Sequence, residues 1–368
     1  MSSVGKMSRD SASLNPIRVW LLFAAALIFA TLVVGGATRL TDSGLSIVEW
    51  RPVTGVVPPM DESTWQAEFD KYKTIPQYRE RNPTMTLGEF KVIYWWEWTH
   101  RTLARLAGGA FLLPFLWFLW RGRIDRRLRA RLWTIFALGA ALGAIGWWMV
   151  ASGLSARVSV SQYRLAFHLT LACIVFAAVV WTAQRLAPGP APSAALRLRV
   201  SALVLLVLVL VQIYLGALVA GLRAGLLFNT WPLIEGALVP DARSLFFDAP
   251  LWRNFFENAL TVQFDHRVAA YVLCLLAWLH ALDVAASRRE GRALAGAVLL
   301  ALGITLQAVL GIVTLLYQAP LALALSHQAM AIAVLTLAIV HAERLTRHAK
   351  NAIAEAAPVA AGTREQAP

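Results

Sequence analysis

The sequence contains little cysteine and few acidic residues, and each shortage excludes a class of protein or site. Cys173 and Cys274 are its two cysteines, and each lies inside a strongly apolar stretch. A disulfide between loops and a cysteine-rich zinc cluster are therefore excluded. Asp and Glu number 21 against 34 Lys and Arg, and charged residues make up 15% of the 368-residue chain. So low a charged fraction is not typical of a soluble domain.

Apolar residues make up 58% of the chain and are gathered into long runs. A run of about 20 apolar residues is long enough to cross the hydrocarbon core of a bilayer as a helix. We therefore predict an all-α membrane protein with eight transmembrane helices in a lipid bilayer. Three glycines of the third span are interpreted as sites of close helix packing: Gly139, Gly143 and Gly146. The predicted spans are 19–38, 99–120, 132–151, 164–186, 200–220, 265–285, 294–316 and 321–342.

Arginine is concentrated in the short polar links between the apolar runs. Six arginines fall between residues 121 and 131, and others stand beside the link at 187–198 and between the sixth and seventh runs. Short loops rich in positive charge stay on the cytoplasmic side of a membrane. We therefore predict a multi-pass protein of the bacterial inner membrane with both termini in the cytoplasm. Because this placement accounts for the net charge of +13, we predict no nucleic-acid partner.

The two long polar segments, 39–92 and 221–264, indicate an internal duplication. Four residues of the first recur in the second, each 181 positions later. Four spans per half, with each half starting in the cytoplasm, are typical of a parallel repeat. We predict two pseudo-symmetric four-helix bundles. The matched residues are Gly44, Trp50, Gly55 and Pro59 with Gly225, Trp231, Gly236 and Pro240. The predicted segments are a cytoplasmic N-terminus at 1–18, an N-terminal half at 19–186, a cytoplasmic linker at 187–198, a C-terminal half at 199–342 and a disordered cytoplasmic tail at 343–368.

Four histidines lie near the outer ends of the even-numbered spans: His100, His168, His266 and His327. Ionisable side chains inside a bilayer are costly and usually functional, although a single one often only bonds a neighbouring helix. A pair of imidazoles from two helices can hold one haem iron axially. Zinc fits less well because it prefers four ligands, and each bundle offers two histidines. The remaining histidines, which lie toward the cytoplasmic side, are interpreted as structural: His280, His341 and His348.

The carboxylates beside the histidines differ between the two halves. Glu97 lies three residues before His100, so the two side chains share one face of a helix, whereas Asp265 lies directly beside His266. A carboxylate near a haem edge could take up protons or stabilise a cation, although Glu97 could also simply favour a helix N-terminus. We interpret the asymmetry as one haem that reacts and one that transfers electrons. Candidate contacts for haem propionates, which could instead be interfacial side chains, are Arg39, Arg101, Arg223 and Arg267.

Together these motifs resemble the haem A synthase family, over about residues 33–341. The resemblance implies eight helices in two four-helix halves. It also implies conversion of haem O to haem A, in which successive hydroxylations turn one ring methyl into a formyl group. The motifs that carry it are Gly35-Gly36-Ala37-Thr38-Arg39-Leu40-Thr41, Ser43-Gly44-Leu45-Ser46, Glu97-Trp98-Thr99-His100-Arg101, His168, Asp265-His266-Arg267 and His327.

The resemblance assigns a role to each histidine pair. His100 and His168 would hold the substrate haem, and Glu97 would be the acidic residue needed for its oxidation. His266 and His327 would ligate a haem b cofactor. Haem O synthase and an unidentified electron donor would be the partners. Some relatives carry a cysteine pair in each outer loop, and this chain has none there, so it resembles the cysteine-free branch.

Two other functions are compatible with paired histidines in membrane helices. A di-haem b-type electron carrier would place haems near both membrane faces, whereas the four histidines here lie near one face. A haem transporter or chaperone would need no carboxylate beside a haem ligand. The chain is also compatible with a homo-oligomer.

Overall fold

The computed structural model describes residues 2–155, 157–188, 194–287 and 291–347. Eight of the helices in these ranges are long and apolar enough to cross a membrane. This confirms the prediction of an all-α protein with eight spans. The helices are α1 (Ser2–Leu40), α2 (Glu62–Lys73), α3 (Pro76–Arg81), α4 (Leu87–Trp120), α5 (Arg126–Ala151), α6 (Gln162–Arg185), α7 (Leu196–Gly221), α8 (Ala242–Leu245), α9 (Asn254–Glu257), α10 (Ala259–Ala286), α11 (Arg292–Leu316) and α12 (Leu321–Thr346).

The helices extend beyond the predicted spans, and the extension at the start of α4 is the one that affects the predicted site residues. This helix begins at Leu87, whereas the apolar run predicted a start at about residue 99. Thr86 and Glu89 form a capping box, in which each side chain bonds the other residue's main-chain N–H. A capping box starts a helix with polar residues, so hydropathy misses the first turns. Glu97 and His100 consequently lie well inside a continuous helix rather than at its mouth.

The long helices pack as two groups of four. In the first group, α1 contacts α4 and α6, and α5 contacts the same two helices. In the second group, α7 contacts α10 and α12, and α11 contacts the same two helices. The groups meet where α6 lies against α7 and α12, and where α1 lies against α12. Fully buried alanines such as Ala183, Ala202 and Ala301 allow these helices to approach closely.

The two groups are also joined at the ends of α1 and α7 that lead into the long polar segments 39–92 and 221–264; this end of the helix bundle is called the outer end. Asp42 and Arg223 form an ion pair, and both adopt a left-handed backbone, with φ of 54° and 55°. Arg39 donates to the main-chain oxygen of Ala220 at 2.8 Å. Each of these two contacts joins residues 181 positions apart, which is the offset of the sequence repeat. Residues matched by the repeat therefore touch each other.

A small aromatic layer covers the outer end of the first group. Tyr72 of α2 packs against Phe90 of α4, with ring centroids 5.3 Å apart, and both rings are buried. Asp61 begins α2 by accepting a hydrogen bond from the Thr64 main-chain N–H at 2.8 Å. Hydrogen bonds from Ser63 and Thr64 lower the pKa of Asp61 to about 2. The cap is therefore charged throughout the physiological pH range.

The C-terminal end of α12 extends past the predicted start of the tail. Glu343 is fully buried and pairs with Arg347 at 2.8 Å and with Arg185 at 3.3 Å. This network ties the last helix to the end of α6. The rest of the predicted tail, 348–368, lies outside the described residues, as do part of the predicted linker, Arg288, Arg289 and His348.

Candidate functional site

The imidazole ring of each of the four predicted haem ligands packs against a glycine of a neighbouring helix. A Cβ atom added to that glycine would stand 2.6 to 3.1 Å from the Cε1 atom of the ring. Such separations are too short for any larger residue unless the ring or the helix moves, so the glycines admit the imidazoles between helices. The pairs are His100 on Gly35, His168 on Gly146, His266 on Gly216 and His327 on Gly311.

Two of the four histidines lie in each four-helix group, and their pairing around one iron stays a prediction. His100 and His168 belong to the first group, and His266 and His327 belong to the second. Each couple combines two helices of one four-helix group, namely α4 with α6 and α10 with α12. All four rings are only partly buried.

The interpretation of three packing glycines in α5 was wrong for two of them. A Cβ atom on Gly139 or Gly143 would meet nothing within 4 Å. Only Gly146 makes a close approach, and its neighbour is the ring of His168 rather than a helix backbone. The absence of a side chain at Gly146 therefore makes room for the ring of His168.

In the first group the two histidines differ in the hydrogen-bond partner of their Nδ1 atoms. The Nδ1 atom of His100 lies 3.2 Å from the main-chain oxygen of Thr31, to which it can donate. A ring that donates from Nδ1 keeps the lone pair of Nε2 free for a metal. The Nδ1 atom of His168 is buried and has no hydrogen-bond partner among the described residues.

In the second group a glutamine accompanies each histidine. The amide nitrogen of Gln212 lies 3.0 Å from Nδ1 of His266 and donates to the main-chain oxygen of the same histidine at 3.0 Å. Gln307 makes the same two contacts with His327, at 3.1 and 2.9 Å. The sequence analysis missed both glutamines, although each opens a Gln-x-x-Leu-Gly motif, at 212–216 and 307–311.

Glu97 is 2% exposed and is bonded through both carboxylate oxygens. Its Oε2 atom accepts from the Ser46 hydroxyl at 2.7 Å and from the Ile47 main-chain N–H at 2.9 Å. Its Oε1 atom pairs with Arg101 at 2.6 Å. Arg101 also donates to the main-chain oxygens of Ile47 and Glu49. Glu97 and Arg101 therefore tie the outer segment 43–49 to α4, one turn before His100.

In the second group an arginine also attaches the outer segment to a helix, but its side-chain partner is an amide rather than a carboxylate. Gln263 lies three residues before His266 and accepts from Arg267 at 2.6 Å. Arg267 donates to the main-chain oxygens of Phe228 and Thr230, each at 2.9 Å. These two acceptors lie 181 positions after Ile47 and Glu49. Gln263, rather than Asp265, thus occupies the position that corresponds to Glu97.

The four arginines singled out as propionate contacts all lie at the outer end, and all are engaged. Arg101 and Arg267 hold the outer segments, while Arg39 and Arg223 both reach Asp42. The Nε atoms of Arg39 and Arg267 are buried and have no partner among the described residues. Contact with haem propionates stays a prediction.

His280 and His341 form a direct hydrogen bond between α10 and α12. Their Nε2 atoms are 2.8 Å apart, and Nδ1 of His280 lies 2.8 Å from the Ser201 hydroxyl of α7. Both rings are buried. This arrangement is the interhelical bond that the structural interpretation predicts for these two residues.

The donor set of the four outer histidines fits a haem better than a bare metal ion. Within the described ranges, no three His, Cys, Asp or Glu side chains come together as a metal site. Zinc would need about four protein or water ligands, whereas a porphyrin supplies four nitrogens itself and leaves two axial positions. The unpartnered Nδ1 atom of His168 and the glycine under each ring are consistent with a ring held ready to ligate.

Residues 18–339 match the model of a protein family described as cytochrome oxidase assembly protein. The chain belongs to this family. A curated member named Heme A synthase, from Rhodopseudomonas palustris (strain BisB5), is 59% identical over 332 residues, or 90% of this chain and 91% of that protein. Another with the same name, from Bradyrhizobium sp. (strain ORS 278), is 56% identical over 357 residues, or 96% and 98%. The family resemblance of the sequence motifs is thereby confirmed.

Proposed function

We propose that this chain is a haem A synthase, which oxidises a ring methyl of haem O to the formyl group of haem A by successive hydroxylations. The observation that carries the proposal is the pair of histidine couples seated on glycines, with a carboxylate beside only one of them. The similarity to curated proteins of that name over nine-tenths of the chain supports it. An electron carrier or a haem transporter would not need a carboxylate, Glu97, in one half and an amide, Gln263, at the corresponding position of the other half.

The first four-helix group is the proposed substrate site. His100 and His168 would hold the iron of haem O. Glu97 lies one turn from His100 and is held by Ser46, Ile47 and Arg101. Because all three are donors, the carboxylate is a fixed acceptor. Its proposed role is to stabilise positive charge that develops on the substrate during oxidation.

The second four-helix group is the proposed cofactor site. His266 and His327 would hold a haem b, which would supply electrons for the oxidation. Gln263 and Arg267 fasten the outer segment of this half without adding a carboxylate. The matched contacts in the two halves support the proposed internal repeat. Both halves attach their outer segment to a helix, whereas only the first half has a carboxylate that could take part in the oxidation.

We expect the two histidine couples to have separable effects on haem content. His266→Ala should remove the haem b and leave the substrate site able to bind, because the couples lie in different helix groups. His100→Ala should do the reverse. The measurement is the type and stoichiometry of haem in protein purified from cells that also express haem O synthase. Wild-type protein that retained no haem, or extracts holding haem O alone, would contradict the proposed function.

We also propose the bacterial inner membrane as location, with both termini in the cytoplasm and the histidines near the outer face. Haem O synthase would supply the substrate, and an electron donor not yet identified would reduce the protein. Labelling with a membrane-impermeant maleimide tests this topology. Val53→Cys, at a side chain 79% exposed, should react in intact spheroplasts, while Arg123→Cys should react only after lysis. The reversed pattern would overturn the topology. Cys173 is buried and Cys274 is partly buried within α10, so both variants are made in a Cys274→Ser background.

A further inference from the structure

We propose that Gln212 and Gln307 are positioning residues that hold the two axial histidines of the C-terminal half and accept the Nδ1 proton of each. The inference rests on the proposed function, since it concerns the half assigned to haem b. It also explains why one half would retain its haem while the other exchanges it.

Each glutamine and the glycine under the same histidine lie four residues apart on one helix. Gln212 and Gly216 of α7 therefore share one face, and both touch the ring of His266. Gln307 and Gly311 repeat this arrangement on α11 beneath His327. The glycine provides the space for the ring, and the amide restricts its rotation.

The amide is anchored to the histidine that it holds. Each glutamine donates to the main-chain oxygen of its own histidine, at 3.0 Å for Gln212 and 2.9 Å for Gln307. The two helices at each contact are therefore linked through the same residue pair that carries the ring. A shift of the helix would move the amide and the ring together.

The amide oxygens indicate that each glutamine can also accept the Nδ1 proton of its histidine. The Oε1 atoms of Gln212 and Gln307 are buried and have no hydrogen-bond partner among the described residues. A buried acceptor without a partner is costly. An imidazole that binds iron through Nε2 carries its proton on Nδ1 and needs an acceptor there. Half a turn of the terminal amide exchanges its oxygen and nitrogen. In that orientation Oε1 lies about 3 Å from Nδ1 and accepts its proton, and the amide exchanges its bond to the histidine main-chain oxygen for this one.

The N-terminal half lacks both amides at the corresponding positions. Thr31 lies four residues before Gly35, and Leu142 lies four residues before Gly146. Thr31 offers His100 a main-chain oxygen, but the Leu142 side chain has no polar atom for His168, whose Nδ1 stays unpartnered. A cofactor that stays bound benefits from two supported ligands. A substrate that must leave as product benefits from one weakly supported ligand.

The test replaces both glutamines in the full-length protein, as Gln212→Leu with Gln307→Leu. Loss of outer partners of metal-bound histidines typically lowers affinity about 10- to 100-fold. We expect a loss of that size in competition for haem b against apomyoglobin. The reduction potential of the retained haem should rise, because an imidazole without an Nδ1 acceptor is a weaker donor to ferric iron. Unchanged affinity and unchanged potential would overturn the inference.

Two further variants separate this role from a merely structural one. Gln212→Glu with Gln307→Glu keeps the acceptor and adds charge, so its potential should lie below that of the wild type. Leu142→Gln supplies the missing amide to His168 and should strengthen haem retention in the N-terminal half. If the Glu variant and the Leu variant shifted the potential in the same direction, or if Leu142→Gln left retention unchanged, the acceptor role would be wrong.

Gln328→Leu is the matched control. Gln328 lies beside His327 but donates to the main-chain oxygen of Leu32 on α1, at 2.7 Å. Its loss removes an interhelical amide bond of the same kind without touching a histidine ring, so affinity and potential should not change; an equal effect would refute the inference. Wild-type protein without haem in the C-terminal half would instead refute the proposed function. The two failures are therefore distinguishable.

Discussion

Glu97→Gln is expected to abolish haem A formation while both haem sites stay filled. An amide oxygen at this position can still hold Arg101, as the amide oxygen of Gln263 holds Arg267 in the other half. What the substitution removes is the carboxylate group beside the proposed substrate site. Removing one preorganised electrostatic partner typically lowers turnover by about 100- to 1,000-fold. The measurement is the ratio of haem A to haem O, by chromatography of pigments extracted per mole of protein.

Two comparisons make this result interpretable. Glu68→Gln removes another buried, ion-paired carboxylate of the same half, which lies on α2 and pairs with Lys71 at 2.8 Å, and it should leave haem A formation intact. Glu97→Ala is a poorer probe, because it leaves the guanidinium of Arg101 without its ion-pair partner. Breaking a buried ion pair in this way costs about 3 kcal/mol, so lost activity could follow from lost stability. Haem A at the wild-type level in Glu97→Gln would end the assignment of Glu97 as a catalytic residue.

Gly146→Val is expected to empty the substrate site and leave the cofactor site filled. The nearest atom to an added Cβ is Cε1 of His168, at 3.0 Å, and valine adds two methyl groups beyond it. The ring would have to leave its position on α5, which would remove one of the two side chains proposed to hold the substrate haem. We expect the haem content of the purified protein to fall from two haems to one, with haem b retained. Quantitative pyridine haemochrome spectra and chromatography measure both numbers.

Gly143→Val supplies the matched control on the same helix. It makes the same change three residues away, where an added Cβ would meet nothing within 4 Å. Its haem content should equal that of the wild type. Gly216→Val should show the mirror result, with haem b lost and the substrate site kept, since its Cβ would lie 3.1 Å from Cε1 of His266. Equal haem contents in Gly143→Val and Gly146→Val would show that the glycine under the ring is not needed.

The local part of the fold followed from the sequence because the bilayer imposes simple requirements. A helix must span about 30 Å of hydrocarbon, so eight apolar runs predicted eight helices. Polar side chains in the hydrocarbon layer are costly and are usually functional, so the four outer histidines were predicted as candidate ligands. Helix starts were less predictable. The capping box at Thr86 is polar, and only the observed hydrogen bonds place the beginning of α4 at Leu87.

The number of spans follows from the amino-acid sequence, which also predicts two histidine couples and duplicated outer segments, because each depends on residue type and spacing along the chain. The residues that face each histidine are known only from the folded structure. Gly35 and His100 are 65 positions apart, and Gln212 and His266 are 54 apart, so no local pattern links them. Glu97 and Gln263 each lie three residues before a histidine, but only the structure shows that they also match in the arginine that each one holds. That match depends on hydrogen bonds to distant main-chain oxygens, which form only when the outer segments fold back onto α4 and α10.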